Sequence, residues 1–264
     1  MRNQATYLLT LFVLMLSTTG ALLAACTATE KNADYGDLGA TSATVTVRVN
    51  AVGDLVVFTA WCYPGCTPDS GSVTLSGQAA TKTTVNGVNL GSSPDLTYPG
   101  QDFIYYILSS RSSGTLTATF TASGASLQQT QISYIDFTPS SSCSFAHDVD
   151  STVGTGTNST NINTPSVTPS GSGELLFNFT STGQHVTAVN SPWICPIYSG
   201  QGETQTCTFN VTQDAAAYIL SSASGSTSNK MTDNATDIFW EGLITSFSIS
   251  SAPNPPTNVS VTVN

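Results

Sequence analysis

The string Tyr106-Ile107-Leu108-Ser109-Ser110 returns as Tyr218-Ile219-Leu220-Ser221-Ser222, and seven of the ten positions starting at each tyrosine match. A repeat at long spacing constrains the fold more than any single motif, because it divides the chain into two units facing the same packing problem. Two further correspondences keep the same order. Gly173-Glu174-Leu175-Leu176-Phe177-Asn178-Phe179 resembles Gly53-Asp54-Leu55-Val56-Val57-Phe58. Ile244-Thr245-Ser246-Phe247 follows Ile132-Ser133-Tyr134-Ile135 at the offset of 112 that separates the tyrosines. The chain therefore reads as two related halves, 44–139 and 173–251, joined by a Ser-, Thr- and Asn-rich crossover loop over 140–172.

The local pattern in both halves is β. Thr44-Val45-Thr46-Val47-Arg48-Val49 alternates strictly, as a strand with one wet face does. Asp54 to Trp61 is more continuously apolar, as a strand buried on both faces is. Further short strands are predicted at 72–76, 82–85, 103–108, 115–121 and 131–136. In the second half they fall at 174–180, 185–189, 206–211, 216–220 and 239–250. No window supports a long amphipathic helix. Thr and Val suit a pleated surface, and the recurring Val, Ile, Leu, Phe, Tyr and Trp can bury a core, which argues against disorder.

Charged residues make up only 8% of the 264 positions, and the formal net charge is −10. Six Lys and Arg in the whole chain supply no basic patch for phosphates, so nucleic acid is excluded as a partner.

The N-terminus reads as an export signal. Arg2 is a minimal positive region, and Leu8 to Leu16 is an apolar run too short to span a bilayer. Leu23-Ala24-Ala25-Cys26 follows. This resembles the lipobox of bacterial lipoproteins. The resemblance implies removal of residues 1–25, a diacylglyceryl thioether on Cys26 and acylation of the new amine with a palmitate-like chain. Several chains on one residue anchor stably where one is marginal. An ordinary signal peptide cut near Ala25 is the alternative. Residues 26–43 are expected to be a flexible tether.

From Thr44 to Ser250 the layout resembles a jelly-roll-like, lectin-type sandwich of exported bacterial proteins. Each half opens on a Gly-Asp/Glu-Leu-aliphatic strand and closes with a strand after a tyrosine-containing hairpin. The resemblance implies an all-β, jelly-roll-like antiparallel β-sandwich built from two related halves, and it brings no established activity. Residues 252–264 hold Ala252-Pro253-Asn254-Pro255-Pro256, a stiff linker, and then an alternating terminal strand.

Export implies an oxidising setting for the six cysteines. Cys195 and Cys207 bracket a Gly-containing loop and are expected to bridge. Cys62 and Cys66 could close across Pro64-Gly65, although so small a ring can be strained. Cys143 is then odd: free and buried, or paired with Cys62 or Cys66.

No catalytic constellation emerges, and the expectation is that the protein is not an enzyme. The only histidines are His147 and His185, and no Gly-x-Ser-x-Gly elbow occurs. A glycosidase needs two carboxylates at fixed separation, and the sequence selects none among Asp136, Glu174, Glu203, Asp237 and Glu241. Asp148 and Asp150 are the candidate ligands for a structural calcium, against the plainer reading of a solvated acidic loop. Trp193, Tyr63 and Tyr198 are the candidate aromatic platforms for a glycan; for Trp193 the alternative is packing over the Cys195 bridge. The resulting expectation is a lipid-anchored cell-envelope lipoprotein. It is placed on a bacterial outer membrane or cell surface, with the bilayer and a glycan or envelope component as partners. A carbohydrate-binding module of a polysaccharide-capture system is the alternative.

Overall fold

In a computed structural model, residues 25–63, 71–83, 101–124, 127–199, 207–208, 214–237 and 239–251 are described. Residues 1–24 of the export signal, Cys66, Glu203 and the 252–264 tail lie outside them. The described residues form only β-structure. The first half comprises β1 (Ala28–Tyr35), β2 (Ser42–Val49), β3 (Leu55–Tyr63), β4 (Ser72–Leu75), β5 (Gln78–Ala79), β6 (Thr81–Lys82), β7 (Gln101–Ile107), β8 (Gly114–Thr121) and β9 (Gln129–Pro139). The second comprises β10 (Cys143–Asp150), β11 (Gly154–Gly156), β12 (Ser159–Asn163), β13 (Leu175–Thr182), β14 (Val186–Val189), β15 (Ala215–Ile219), β16 (Lys230–Asp237) and β17 (Trp240–Ser251).

Strand pairing in the first half is nested: β1 with β9, β2 with β8, β3 with β7 and β4 with β5, all antiparallel. A long hairpin rolled up in this way is a jelly roll. It gives the sheets β1-β9-β3-β7-β6 and β2-β8-β4-β5. The second half repeats the nesting, with β10 on β17, β12 on β16 and β13 on β15. Its sheets are β10-β17-β13-β15, with β11 added on β17, and β12-β16-β14.

The all-β antiparallel sandwich of two related halves is what the chain forms, with one refinement. Each half closes a sandwich of its own, and the two sandwiches share a face. One core lies inside the first half, around Val47, Phe58, Phe103 and Phe120. Another lies inside the second, around Leu176, Trp193, Met231 and Trp240. The third lies between the halves, where Leu55, Val57 and Phe137 of one inner sheet meet Leu175, Phe177 and Phe247 of the other. This layering explains the sequence patterns. β2 alternates because only one face of an outer sheet is covered. β3 up to Cys62 and the whole of β7 are buried because an inner sheet is covered on both faces.

Two boundaries need correction. The 26–43 segment is not a flexible tether, since β1 pairs with β9 from Ala28–Pro139 to Tyr35–Ser133 and β2 begins at Ser42. The 140–172 segment is not a loop either, because it supplies β10, β11 and β12. Both segments were opaque because they place few large apolar residues on the core. β1 buries only Ala28 and Ala33, and β10 buries only Phe145.

The repeated strings have a shared structural job. Gly53 N–H donates to the Ser110 carbonyl and Ser110 N–H returns a bond to the Asp54 carbonyl. Gly173, Ser222 and Glu174 make the same exchange. Both glycines stand at positive φ, 99° and 80°, where a side chain is strained. The Gly-acid-Leu opening and the Ser-Ser end of the tyrosine string are thus two sides of one corner, built twice.

Candidate functional site

The shared face between the inner sheets is where the described chemistry-bearing side chains concentrate. It is organised as a pseudo-twofold arrangement. Val57 pairs with Tyr106 as Phe177 pairs with Tyr218. Leu55 pairs with Phe137 as Leu175 pairs with Phe247. Phe137, not Ile135, is therefore the counterpart of Phe247. The string alignment of β9 with β17 is two residues out, a slip that keeps every side chain on its face.

At the centre, each tyrosine reaches into the opposite half. Tyr106 meets Phe247 edge-on, with centroids 5.3 Å apart at 76°, and Tyr218 meets Phe137 at 5.3 Å and 79°. The first strand of each half adds one polar group. Glu30 stands opposite Phe137 in register, and His147 stands opposite Phe247. The register shifts immediately after each of them, as at a β-bulge that re-aims a side chain. Glu30 accepts a hydrogen bond from the Tyr218 hydroxyl and another from Ile197 N–H at 3.0 Å. Burial raises the Glu30 carboxyl above its ordinary range against the pull of those two donors. His147 instead stacks flat on Tyr106, at 5.1 Å and 7°, and its Nε2 lies 2.8 Å from Asp150 Oδ1.

One end of this face is closed covalently. Cys26 and Cys143 are disulfide-bonded with Cα atoms 5.8 Å apart, across 117 residues. Cys26 precedes Glu30 by the same four positions by which Cys143 precedes His147, so the bridge joins equivalent points of the two halves. Cys143 is thus neither free nor paired with Cys62 or Cys66. The Cys26 sulfur is a bridging sulfur here, and a thioether on the same sulfur would exclude that bridge.

The other end is acidic. Asp102 lies four residues before Tyr106, and Asp214 four before Tyr218. Asp102 is wholly buried, and burial first, then the nearby Glu241 and Asp214, push its carboxyl well above the usual range. Ser181 Oγ–H donates to Asp214 Oδ1 at 2.8 Å. Thr59, Trp61, Gln131, Ile132, Ser133, Phe179 and Asp214 meet at this end, and the gap among them is too small for a water molecule, so it is no small-molecule pocket.

Each half also carries a carboxyl pair at its Gly-acid-Leu corner. Asp136 is buried beside Asp54, and burial raises its carboxyl to about 7, although Asn50 N–H donates to it at 2.9 Å. In the second half Glu174 faces Asp148. Burial raises Glu174, against the Gly171 N–H that donates to it at 2.8 Å. Asp148 stays below its usual range despite burial, because Ser170 N–H donates to it at 2.8 Å and Ser246 Oγ lies at 3.3 Å.

The candidate residues scatter. Asp148 and Asp150 serve Ser170 and His147 respectively rather than one centre, and among the described residues no group of three or more His, Cys, Asp or Glu could hold a metal ion. Trp193 is 4% exposed, packs in the second-half core with Cys195 and Cys207, and donates its Nε1–H to Ser228 O at 2.9 Å. Tyr198 is fully buried between the halves. Neither can serve as an open stacking platform. Tyr63 is half-buried and stacked on Trp61, at 5.9 Å and 13°. Cys195 and Cys207 form the expected bridge. Cys62 is disulfide-bonded, and Cys66 is outside the described residues. Sequence reasoning missed Glu30, Asp102 and Asp214. The signal available was position: the two aspartates stand at the same distance before the two repeated tyrosines.

No family model matches the chain, and no curated protein matches it. Among solved structures it is similar to the major capsid protein P2 of bacteriophage PM2, at 9% identity and a TM-score of 0.29, over 86% of this chain and 98% of that one.

Proposed function

We propose that the chain is an exported, non-catalytic structural module of a cell envelope, in which two jelly rolls are fastened into one block. The observation that carries this reading is the Cys26–Cys143 bridge. It joins equivalent points of the halves just after the export-signal pattern, and such bridges persist in oxidising compartments. The Cys195–Cys207 bridge supports the same address. The non-catalytic part is supported by where the reactive groups go: His147 serves Asp150 and Tyr106, and the aromatic candidates for a glycan are buried or stacked.

The second reading is a lipoprotein anchored to a bacterial membrane through Cys26, favoured by Leu23-Ala24-Ala25-Cys26. The two readings place different chemistry on one sulfur. Intact mass spectrometry of the exported chain, with and without reduction before alkylation, separates them. The first predicts a Cys26–Cys143 linked peptide that splits on reduction, and no lipid mass. A lipidated Cys26 peptide with an alkylatable Cys143 would replace it with the second.

A further inference from the structure

β2, β8 and β4 turn one face of the first outer sheet to solvent, and that face is almost entirely hydroxyl. In register across the three strands stand Ser42, Thr121 and Ser72, then Thr44, Thr119 and Thr74. Thr46 with Thr117, and Arg48 with Thr115, continue the rows. Each of these is exposed or half-buried, while the alternate positions, such as Val45, Val73 and Phe120, enter the core. Neither ladder shifts register, so the rows repeat at about 6.8 Å along the strands and about 4.8 Å across them. Threonine is branched at Cβ and stiff at χ1, so its hydroxyl and methyl hold their places before anything binds.

Three observations separate this face from an ordinary wet surface. No Asp or Glu occurs in β2, β4, β5 or β8, although the chain carries sixteen. Among the described residues, no hydrogen bond ties these hydroxyls to another group of the chain. The equivalent outer sheet of the second half is built differently. Both of its ladders shift register, at Ser159/Asn161 and at Val186/Ala188, and Lys230 and Asn234 stand exposed on β16. Duplication alone does not produce the array. The face also narrows the partner. With no acid and one cation, Arg48 at one end, it complements an uncharged surface. The aromatic residue of these strands, Phe120, is buried, so they offer no ring to stack on a sugar.

We propose that the threonine face of the first outer sheet binds the surface of ice. Crystalline water is uncharged and periodic on the same scale of a few ångströms, and it offers donors and acceptors to every hydroxyl. A fixed hydroxyl array orders water where a mobile one does not, and the methyls between the hydroxyls gain by leaving liquid water. Sheet twist, about 20–25° between neighbouring strands, confines the matched patch to the central rows. Binding of this kind slows the growth of existing crystals more than it lowers the freezing point.

The test freezes the exported, oxidised chain slowly out of dilute solution and compares its concentration in the ice with that in the remaining liquid, beside an unrelated protein of similar size. The chain is expected to enter the ice while the reference protein is excluded. Thr44→Lys, in a central row, should cut incorporation about tenfold or more, because an unpaired ammonium loses its hydration against an uncharged surface. Ala188→Lys, exposed on the outer sheet of the second half, should leave incorporation unchanged. Thr46→Lys, one row along the same exposed strand face, takes the place of Thr44→Lys if that variant does not fold. Exclusion of the unaltered chain from ice, or a folded lysine variant of the array that enters as readily as the unaltered chain, would overturn the assignment. Retention on microcrystalline cellulose that the lysine abolishes, without entry into ice, would overturn it too and give the face to a glycan.

Discussion

Tyr106 of the first half packs edge-on against Phe247 of the second, and the equivalent tyrosine and phenylalanine repeat that contact at the same 5.3 Å in the opposite direction. The repeated tyrosine is therefore a cross-interface residue rather than a filler of its own sandwich. A jelly roll from this chain taken alone would expose an inner sheet carrying Leu55, Val57, Tyr106 and Phe137, or Leu175, Phe177, Tyr218 and Phe247. Contiguous apolar surface of that kind seeks a partner. Here the partner is the other half, supplied on the same chain and held by Cys26–Cys143.

The two tyrosines separate once their hydroxyls are compared. Tyr218 donates to the partly buried Glu30, while the Tyr106 ring gains its contacts through His147 and Phe247. Tyr218→Phe should cost about 1.5–3 kcal/mol, the usual worth of a hydrogen bond to a charged group. Tyr106→Phe should stay within about 0.5 kcal/mol. Either tyrosine changed to Ala should cost about 3–5 kcal/mol, since a large aromatic leaves the core. Urea midpoints of the four variants check the ordering; equal costs for the two Phe variants would contradict the distinct role given to Glu30.

The bridge between the halves closes a loop of 117 residues in sequence separation. In the chain-entropy account, loops of that size give about 5 kcal/mol, and removal of native bridges costs about 2–5 kcal/mol. The paired variant Cys26→Ser, Cys143→Ser should lose stability in that range and keep its fold, because the β1–β9 and β10–β17 ladders do not depend on the sulfurs. The single Cys143→Ser variant should show one alkylatable thiol in the folded chain. Thermal denaturation with thiol titration measures both.

Legibility in the sequence followed burial. β2, β3, β7, β13 and β17 were readable because strict alternation or continuous apolar runs are what outer and inner sheets require. β1, β10, β12 and β16 were not, because Ala-Thr-Glu-Lys-Asn-Ala-Asp-Tyr and Lys-Met-Thr-Asp-Asn-Ala-Thr-Asp are polar strings with one or two core contacts each. Their strand state comes from the ladder beside them, a tertiary effect that no local window contains. The same limit hid the site. Cys26 and Cys143 carry no pairing signal at a separation of 117, and the acidic end is assembled from Asp102, Asp214 and Glu241 only when two sheets face each other. The repeat was legible from the start, yet its meaning, two sandwiches facing rather than two halves of one, needed the register of β9 and β17.

Gly156 is a close-approach position, paired with Trp240 across β11 and β17. A Cβ placed there would overlap the indole ring at its Nε1, Cε2 and Cζ2 atoms. Trp240 is itself buried in the second-half core, so the ring cannot swing away freely. Gly156→Ala should destabilise by about 1–3 kcal/mol, the range for overpacking, while Gly77→Ala, with nothing within 4 Å and φ of +87°, should cost only backbone strain. Tryptophan fluorescence should shift during unfolding at a lower urea concentration for Gly156→Ala, and an unchanged midpoint would show that β11 is not seated against Trp240.

Stability should peak on the acid side of neutrality, and the sign follows from two groups. Asp136 has its carboxyl raised from an ordinary 3.8 to about 7, by burial first and Asp54 second. The folded chain therefore holds that proton more tightly than the unfolded chain does. Its contribution is complete below about pH 4 and is lost as pH rises through 7, at up to roughly 1.4 kcal/mol per pH unit for one proton. Asp148 runs the other way: its carboxyl is held below the usual range by the Ser170 N–H, so its contribution is present above about pH 4 and is lost in stronger acid. Urea midpoints from pH 3 to pH 8 should rise and then fall. Asp136→Asn removes one titrating group from the descending limb and should flatten it between pH 4 and pH 7, leaving the acid limb as it was. A descending limb of unaltered slope in a folded Asp136→Asn variant would assign it to the other buried carboxyls, with Asp136 ionised in the folded state like an ordinary aspartate.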